Sequence, residues 1–383
     1  MNIGILFPRS KAYPLIGSDF LEGIKAFTAN ASLGEDVKFF PESIGFGGVE
    51  KEVYAKAEKL LMIDDVDILV GFIDERILEL LKPLLLASAK LFILVNAGAN
   101  QPANWVPQPN IITLSLRHSF LCALNGQAAA SAENKTAAVV STFYDCGYLH
   151  LATVVREFVA AKGKVQFNYI NNQLYDDNFN INELISFLDS DKNTKTLLCV
   201  LDSLPASLFY KLLNQYEEAH HLNLYVSPMM IEKKALENLN NGFNFSVHGY
   251  LPWHLSDTRE ENLQFINHYQ KHLKKAPGIF SLLGWEAGMI LKEISNNNGG
   301  NYRNGELLTE VLKTKKISGP RGTLQLDAST QFYICPAIRC SIPAGSAEME
   351  MEYNLDFKNE WEAFTEKNTE GPVSGWTNTY LCY

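Results

Sequence analysis

The stretch DILVGFIDERILELLKPLLLASAKLFILVNAGAN, residues 67–100, decides the fold class of this chain. It predicts a strand, a short loop, an amphipathic helix, a second strand and a second loop. Ligands of parallel α/β sheets bind at the carboxyl ends of the strands, so the loops at 71–75 and 96–100 would open on one sheet edge. Neither loop contains a nucleophile with its base, a group of metal ligands or a phosphate cradle. We therefore expect this edge to hold a molecule rather than to transform it.

The same alternation of strands and helices extends in both directions. Towards the amino terminus, strand patterns at 3–7 and 37–40 alternate with helical patterns at 19–29 and 49–62. A second block of the same kind begins at TAAVVST, residues 136–142, and continues to residue 241. Strands that alternate with helices of this length indicate parallel sheets with helices on both faces. The two blocks predict an α/β protein with two Rossmann-like lobes.

After the second block the chain does not continue as a simple tandem of lobes. A strand pattern at 245–251 is followed by two long helical patterns, at 257–275 and 280–295, which have no sheet nearby in sequence. We expect these helices to return to the first lobe, and a third crossing near 319–327 to send the tail to the second lobe or the hinge. The predicted lobes are residues 1–117 with 252–322, and residues 118–251 with 323–383.

Composition excludes some classes of partner. The 383 residues are 46% hydrophobic, and 43 acidic against 33 basic side chains give a net charge of -10. This balance favours solubility and disfavours nucleic acids and anionic membranes, which select basic patches. No apolar run approaches the roughly 18 to 20 residues that a membrane span needs. We expect a small-molecule or protein partner, no nucleic acid and no direct membrane insertion.

The amino terminus leaves the compartment open. Met1 leads directly into the strand pattern NIGILF, without the basic, apolar and cleavage regions of a secretory leader. We expect either that a leader has been removed or that the protein stays in the cytosol.

The cysteines leave the redox state open as well. Six cysteines are too few to be a folding framework at this length. Cys335 and Cys340 enclose a short loop that could be a disulfide in an oxidising compartment or could carry two free thiols. A metal site is disfavoured, because zinc sites usually combine shorter spacings with a second ligand pair. His268 and His272 share a helix face whose polar neighbours indicate a solvated surface.

Motifs of catalysis and cofactor binding are not recognisable in the sequence. It contains no G-x-S-x-G elbow, H-E-x-x-H pair or acid dyad. The GFGG segment at 45–48 lacks the Lys and Ser/Thr of a P-loop and the spacing of a dinucleotide fingerprint. We expect no enzymatic activity, no cofactor and no metal.

Several short segments together resemble one known family. They are NIGILFP, GSDFLEGIKAF, DILVGFIDE, LFILVNAGAN, AAVVSTFYDCGY, NLYVSPMM, VHGYLPW, FSLLGWEAGMIL and GPRGTLQLD. In order and content they are similar to the type I periplasmic solute-binding proteins of branched-chain amino-acid and amide uptake. The resemblance implies two lobes that are joined by three crossovers and close on a small ligand. It also implies delivery to an ABC-type permease from the periplasm or, alternatively, a cytosolic sensor of the amide-sensor type that acts through a protein partner.

The resemblance further assigns ligand contacts to loops at strand ends. These positions are Tyr13, Asp74, Glu75, Asn96, Ala97, Gly98 and Ala99 in the first lobe, and Tyr144, Asp145, Ser203 and Met229 in the second. We add Trp253, which lies in YLPWH at the predicted hinge. Such loops offer backbone N–H groups and aromatic walls with a polar handle, which suit a small polar ligand.

Several positions depart from the amino-acid-binding pattern of that family. Asp74 and Glu75 stand where the pattern has a Ser-rich turn for the ligand carboxylate, which they would repel unless Arg76 compensates. Ala99 replaces a Thr, and Met229 replaces the acidic residue that receives the ligand ammonium group. The expected ligand is therefore a small polar molecule, amino-acid-like or amide-like, other than an ordinary branched-chain amino acid.

Some of these positions also have a purely structural explanation. Asp74 is a good N-cap for the helix predicted at 75–87, worth about 1 kcal/mol. Asn96 could simply turn the backbone, and Tyr13 and Tyr144 could cover the core. Trp285 lies on the apolar pattern of its helix, which indicates a core position.

Overall fold

The computed structural model describes residues 1–31, 33, 37–99, 106–131, 135–142, 148–171, 179–237, 242–297, 301–367 and 380. The strands are β1 (Asn2–Phe7), β2 (Lys38–Ser43), β3 (Ile68–Phe72), β4 (Leu91–Asn96), β5 (Ile111–Ser115), β6 (Thr136–Thr142), β7 (Lys164–Asn171), β8 (Thr196–Val200), β9 (Asn223–Val226), β10 (Ser246–Leu251), β11 (Lys316–Gly319), β12 (Gly322–Leu326), β13 (Tyr333–Ile334), β14 (Ala337–Ile342) and β15 (Glu350–Leu355). The α-helices are α1 (Ile16–Asn30), α2 (Glu50–Glu58), α3 (Glu75–Ser88), α4 (His118–Ala130), α5 (Tyr148–Ala160), α6 (Asn182–Ser190), α7 (Ser203–Leu213), α8 (Lys233–Leu236), α9 (Glu260–Leu273), α10 (Ile279–Asn297), α11 (Gly305–Lys313) and α12 (Lys358–Glu366).

The first sheet contains the two strands of the 67–100 stretch. Its strand order is β2-β1-β3-β4-β5, and every neighbouring pair is parallel. β3, β4 and β5 are buried along their whole length, as expected for a parallel sheet that is covered on both faces. The α/β fold with parallel sheets is therefore confirmed, and the loops after β1, β3 and β4 lie at one edge of this sheet.

The second sheet has the strand order β15-β14-β10-β9-β8-β6-β7. The strands from β6 to β10 pair in parallel, whereas β14 pairs antiparallel with β10, and β15 pairs antiparallel with β14. The chain after residue 336 thus adds two strands to the second sheet. The loops after β8 and β9 lie at the carboxyl edge of its parallel part.

The helices predicted to return to the first lobe, α9 and α10, pack against α1. The approach of α10 to α1 is close, because a Cβ on Gly284 would lie 2.1 Å from the Phe20 carbonyl oxygen. Phe265, Tyr269 and Trp285 from these helices join the same apolar core as β1 and β3. The core position expected for Trp285 is confirmed. The exact lobe boundaries stay a prediction.

A third, small sheet lies beside the first and was not predicted. Its order is β11-β12-β13, all antiparallel, and Thr113 of β5 donates its N–H to the Gln331 carbonyl at 2.8 Å. Beside it, the fully buried Arg321 side chain donates to the Glu286 carboxylate, with Nη2 2.6 Å from Oε2. Arg321 Nη1 also donates to the Ser115 carbonyl at 3.0 Å. This ion pair ties the turn after β11 to α10 and to the end of β5.

Two expectations about chemistry can be compared with the coordinates. Among the described cysteines, Cys335 and Cys340 are free thiols, so the disulfide alternative is not formed. Within the described ranges, we find no helix that combines the length and the apolar character needed to cross a membrane.

Candidate functional site

Tyr13 links the strand-end loops of the two large sheets. It follows β1 of the first sheet, and its hydroxyl donates to Oδ1 of Asp202 at 2.5 Å. The same hydroxyl lies 2.8 Å from Oγ of Ser203. Asp202 and Ser203 follow β8 of the second sheet, where the Asp202 carboxylate also accepts the Ser203 N–H at 2.5 Å and caps α7. The carboxyl edges of both sheets therefore face each other and are joined by a hydrogen bond.

Lys234 provides a second link at the rim of the same region. Its ammonium group, on α8, donates to the Ala12 carbonyl at 2.8 Å. The Lys234 Nζ atom also lies 4.2 Å from the centroid of the Tyr13 ring, within the range of a cation–π interaction. Lys234 is exposed, so these contacts are accessible to water. A solvent-exposed polar contact thus joins α8 to the loop after β1.

Three aromatic rings meet between these loops, in the region called the cleft below. Tyr380 lies edge to face with Tyr13 and with Phe280, each at a centroid distance of 5.1 Å. The Tyr13 and Phe280 rings are 5.8 Å apart, also edge to face. This geometry is the preferred one for aromatic pairs, because the positive edge of one ring meets the negative face of the other. Tyr13 and Phe280 form an aromatic wall, and the Tyr380 ring rests on it.

Ionisable groups surround the hydroxyl of Tyr380. The fully buried Tyr380 side chain donates its hydroxyl hydrogen to the Glu232 carboxylate, which follows β9. The same oxygen lies 3.5 Å from Nε2 of His118, at the start of α4. The His118 and His150 rings are 5.8 Å apart, and both are buried. An acid that follows β9 and a histidine at the start of α4 thus converge on one phenol oxygen.

The acids of the cleft hold their protons more tightly than free side chains do. Burial, reinforced by the negative charge of Asp202, raises the pKa of Glu232 to about 7, although the Tyr380 hydroxyl and Lys234 oppose the shift. Burial also raises the pKa of Asp202, against the hydrogen bond from Tyr13. Burial and the neighbouring His150 lower the pKa of His118 well below its usual value. The cleft therefore offers two carboxyl groups, Asp202 and Glu232, whose charged forms are disfavoured, and an imidazole, that of His118, which is neutral at pH 7.

Several positions named from the resemblance lie together here. Tyr13, Ala97, Met229 and Tyr380 pack into the same apolar core. Ser203 is fully buried beside the Tyr13 hydroxyl, as described above. The loops that follow β1, β4, β8 and β9 therefore lie in one region of the structure.

The Asn96 to Ala99 loop is shaped largely by packing. The Asn96 side chain accepts the Gly98 N–H at 2.9 Å, which is the backbone turn considered above. Gly98 has φ +69°, and a Cβ there would lie 2.4 Å from Ser115 Oγ, so only glycine fits. Ala99 is buried. This loop brings the end of β4 against the start of α4, because the Ser119 N–H donates to the Gly98 carbonyl at 2.8 Å.

Asp74, Glu75 and Trp253 lie at other elements, although Trp253 belongs to the same apolar core as Tyr13. Asp74 is buried and directly precedes α3, the place of an N-cap, and Glu75 begins that helix. The indole N–H of Trp253 donates to Asn262 Oδ1 at 2.7 Å, and its ring packs on Phe265, so its described partners are on α9. Tyr144 and Asp145 lie outside the described residues.

Sequence reasoning missed Phe280, Glu232, His118, Lys234 and Tyr380. Phe280 is the first residue of FSLLGWEAGMIL, and Glu232 lies two positions after NLYVSPMM, both segments that carried the resemblance. A search for charged residues after β9 would have found Glu232. Tyr380 carries no local signal, since its polar partners Glu232 and His118 lie 148 and 262 positions away in sequence. Its place is visible only in three dimensions.

Comparisons with known proteins agree with this architecture. The family model described as periplasmic binding protein matches residues 1–338. A search of curated proteins gave no significant match. Among solved structures, a solute-binding protein of an ABC transporter from R. palustris in complex with benzoate is 18% identical, with a TM-score of 0.70, 91% of this chain and 94% of that chain covered.

Two further solved structures illustrate the range of ligands on this fold. A solute-binding protein from Rhodopseudomonas palustris HaA2, in complex with p-hydroxybenzoic acid, is 15% identical, with a TM-score of 0.73 and coverage of 94% and 98%. A leucine-binding protein from Thermotoga maritima is 13% identical, with a TM-score of 0.67 and coverage of 94% and 99%. At these identities the likeness concerns the fold alone.

Proposed function

The chain belongs to the periplasmic binding protein family, and from this premise we propose that it is a solute-binding receptor that captures a small molecule between two lobes. The lobes are residues 1–117 with 252–322 and residues 118–251 with 323–383. The observation that carries the proposal is the hydrogen bond from Tyr13 to Asp202, which joins the carboxyl edges of the two sheets. Strand-end loops that meet in this way are the usual ligand site of open α/β sheets.

The chemistry of the cleft favours a flat molecule with a hydrogen-bond donor. Tyr13 and Phe280 offer an aromatic wall, and the carboxylates of Asp202 and Glu232 are acceptors when ionised. Two acids at this position repel the carboxylate of an α-amino acid. We therefore narrow the expected polar, amide-like ligand to phenols and aromatic amides. The solved structures with benzoate and p-hydroxybenzoic acid support the aromatic ring of this ligand.

Closing the cleft around such a ligand excludes water and strengthens the polar contacts within it. The ligand-bound shape then differs from the open shape, so a partner can distinguish the two. In the proposed role this partner is the membrane subunits of an ABC-type permease, and the protein acts in the periplasm. The role is binding without turnover, so the ligand leaves the protein unchanged.

The proposal can be tested by native mass spectrometry of the purified protein, compared with its denatured mass. The protein is incubated with 4-hydroxybenzamide, 4-hydroxybenzoate, benzoate and leucine in turn. We expect a one-to-one adduct with 4-hydroxybenzamide, none with benzoate or leucine, and release of the bound molecule with an unchanged mass. Failure of 4-hydroxybenzamide to bind, or a changed mass of the released molecule, would contradict the proposal.

A further inference from the structure

A pocket of about 280 Å³ lies between the small sheet and α12, apart from the cleft. Arg117 lines it from the connection between β5 and α4, and Cys335 lines it from the connection between β13 and β14. Lys316 of β11 and Trp361 of α12 belong to the lining as well. The described lining contains none of the residues that surround Tyr13 in the cleft. A ligand of this pocket would therefore be distinct from the solute in the cleft.

Arg117 brings a positive charge to this pocket without a matching acid. It is only 4% exposed, and its Nη2 donates to the carbonyl of Cys335 and lies 3.3 Å from the Sγ of the same residue. None of the described carboxylates forms an ion pair with Arg117, because the buried Glu286 pairs with Arg321 instead. Burial lowers the pKa of Arg117, as expected for a cation without an ionic partner. Since buried charges in proteins are normally paired, this surplus charge favours an anion in the pocket.

Two buried donors of the lining also lack an acceptor. Nε of Arg117 and Nε1 of Trp361 have no hydrogen-bond partner among the described residues. The guanidinium carbon lies 5.8 Å from the ring centroid of Trp361 and 5.6 Å from that of Phe120, and these cation–π contacts offset part of the buried charge. They give the N–H groups no acceptor. Because buried polar groups nearly always have a partner, the two donors favour a ligand that carries several acceptor oxygens.

The charges at the rim indicate which anion fits. Lys316 and Lys358 are exposed, and Asp356 is the one acid among the described lining residues. The Lys358 Nζ atom also lies 4.0 Å from Glu362, which is outside that lining. With Arg117 the pocket carries a surplus of two positive charges, in a protein whose net charge is -10. A phosphate ester has a charge of about -1.5 to -2 at pH 7, whereas a carboxylate has a single charge, so the surplus favours a phosphate group.

We infer that this pocket binds a phosphate group, either as free phosphate or as part of a small phosphate monoester. Arg117 is the buried anchor, since its planar fork of donors matches phosphate oxygens, and Lys316 and Lys358 add charge at the rim. The side chains of Phe357 and Trp361 offer an apolar surface to the organic part of a monoester. The inference goes beyond the proposed function and does not rest on it, because the pocket and the cleft have no described lining residue in common.

The first measurement is equilibrium dialysis of the full-length protein against radiolabelled inorganic phosphate, in a Tris chloride buffer of constant ionic strength. We expect one phosphate per chain, with a dissociation constant below about 1 mM. Lys316→Gln and Lys358→Gln should each raise this constant by about twofold to fivefold, because each removes a rim charge. Asp356→Asn should lower it by a similar factor, since the amide oxygen can still accept the Lys358 N–H that Asp356 Oδ1 accepts at 3.0 Å.

The matched control for this series is Lys51→Gln, because Lys51 is an exposed lysine on α2, outside the pocket. Its dissociation constant for phosphate should equal that of the wild-type protein. Absence of saturable binding overturns the inference. Equal constants in all the variants, or a change of the opposite sign in Asp356→Asn, overturn it as well, because phosphate would then bind elsewhere.

The second measurement locates the phosphate by the free thiol of the lining. Cys335 is partly exposed and lies beside the Arg117 guanidinium, so a bound anion would shield its sulfur and repel a thiolate. We expect saturating phosphate to slow the alkylation of Cys335 by iodoacetamide several-fold, followed by peptide mass spectrometry, with the buried Cys122 and Cys199 as the internal reference. An unchanged rate contradicts the location.

Arg117→Met tests the anchor itself. We expect it to raise the dissociation constant of phosphate at least about tenfold and to abolish the protection of Cys335. Phosphate affinity equal to that of the wild-type protein overturns the inference. If circular dichroism shows that Arg117→Met does not fold, the variants of the exposed Lys316, Lys358 and Asp356 decide the question.

Competition with the labelled phosphate identifies the class of ligand. Phenyl phosphate that competes more strongly than unlabelled phosphate supports a monoester as the ligand, and weaker competition supports free phosphate. Sodium acetate at the same ionic strength should compete poorly, because it carries a single charge. Acetate that competes as strongly as phosphate contradicts the assignment of a phosphate group.

Discussion

The Tyr13 hydroxyl donates a 2.5 Å hydrogen bond to the Asp202 carboxylate, and the two residues follow parallel strands of different sheets. Such a contact forms only when the carboxyl edges of both sheets face each other. The Ser203 hydroxyl, 2.8 Å from the same oxygen, adds a second polar neighbour from the start of α7. A single phenol oxygen from the loop after β1 thus contacts two residues of the loop after β8.

Removal of that oxygen should weaken ligand capture. Tyr13→Phe keeps the ring against Phe280 and removes the hydrogen bond to a charged group, which contributes about 1.5 to 3 kcal/mol. We expect the dissociation constant of 4-hydroxybenzamide to rise by about 10-fold to 100-fold, measured by calorimetry. The control is Tyr54→Phe, because Tyr54 packs on a different apolar core. An unchanged dissociation constant in Tyr13→Phe would remove the residue from the site.

Stability should depend on pH through Glu232. Its pKa is raised from 4.5 to about 7 in the folded protein, so the folded state holds a proton that the unfolded chain releases. Stability from this group is complete below pH 4.5, falls as pH rises from about 4.5 to about 7, and is level above. The loss is at most about 3 kcal/mol. Urea unfolding between pH 4.5 and 8 measures it, and the Glu232→Gln variant should show a smaller fall over this range.

Two results would contradict the raised pKa of Glu232: a free energy of unfolding that rises over this pH range because of Glu232, or one that does not depend on Glu232. If the wild-type and Glu232→Gln proteins have parallel stability curves, the carboxyl group titrates as in the unfolded chain. The difference between the two curves is the quantity to compare, because Asp202, whose pKa is also raised, contributes to both.

The close approach of α1 and α10 should make Gly284 intolerant of a side chain. Gly284→Ala places a Cβ 2.1 Å from the backbone oxygen of Phe20, so the two helices must separate. We expect a loss of about 1 to 3 kcal/mol in the free energy of unfolding, measured by urea denaturation. Gly278→Ala is the matched control, because nothing lies within 4 Å of its added Cβ. Equal stability of the two variants would show that the helices are not in this contact.

The buried ion pair of Arg321 and Glu286 should be costly to break from one side. Arg321→Leu leaves the Glu286 carboxylate buried without its charge partner, and we expect a loss of about 3 to 5 kcal/mol in the free energy of unfolding. The double replacement Arg321→Leu with Glu286→Leu should recover a large part of this loss, since no charge then stays buried. Additive losses in the double-mutant cycle would contradict the pairing.

The sequence predicted the framework because its signals are local. The apolar strands β1, β3 and β4 and the helices between them were placed within a few residues, since period and turn residues specify each element by itself. The small sheet of β11, β12 and β13 was missed, because β13 is only two residues long and its pairing is set by neighbours in space. The helix predicted at 49–62 ends as α2 at Glu58 and continues as a π-helical turn at Lys59–Ile63, a change that periodicity does not reveal.

Part of the candidate site could be predicted for the same reason. Tyr13, Ala97, Ser203 and Met229 were reachable because each follows a recognisable strand. The pairing of Tyr13 with Asp202 spans 189 positions, and that of Tyr380 with Glu232 spans 148. No local pattern encodes contacts of this kind. They arise from the arrangement of the two sheets, which brings distant loops to one edge.

The central claim is that a flat hydrogen-bond donor binds at the aromatic wall of Tyr13 and Phe280, beside the carboxylate of Asp202. It is tested most directly by calorimetric titration of 4-hydroxybenzamide and of leucine into the wild-type and Asp202→Ala proteins, with Tyr54→Phe as the control. The account predicts that 4-hydroxybenzamide binds the wild-type protein at least about tenfold more tightly than Asp202→Ala, and that leucine binds neither. Equal affinity of the two proteins for 4-hydroxybenzamide, or a micromolar dissociation constant for leucine, would contradict it.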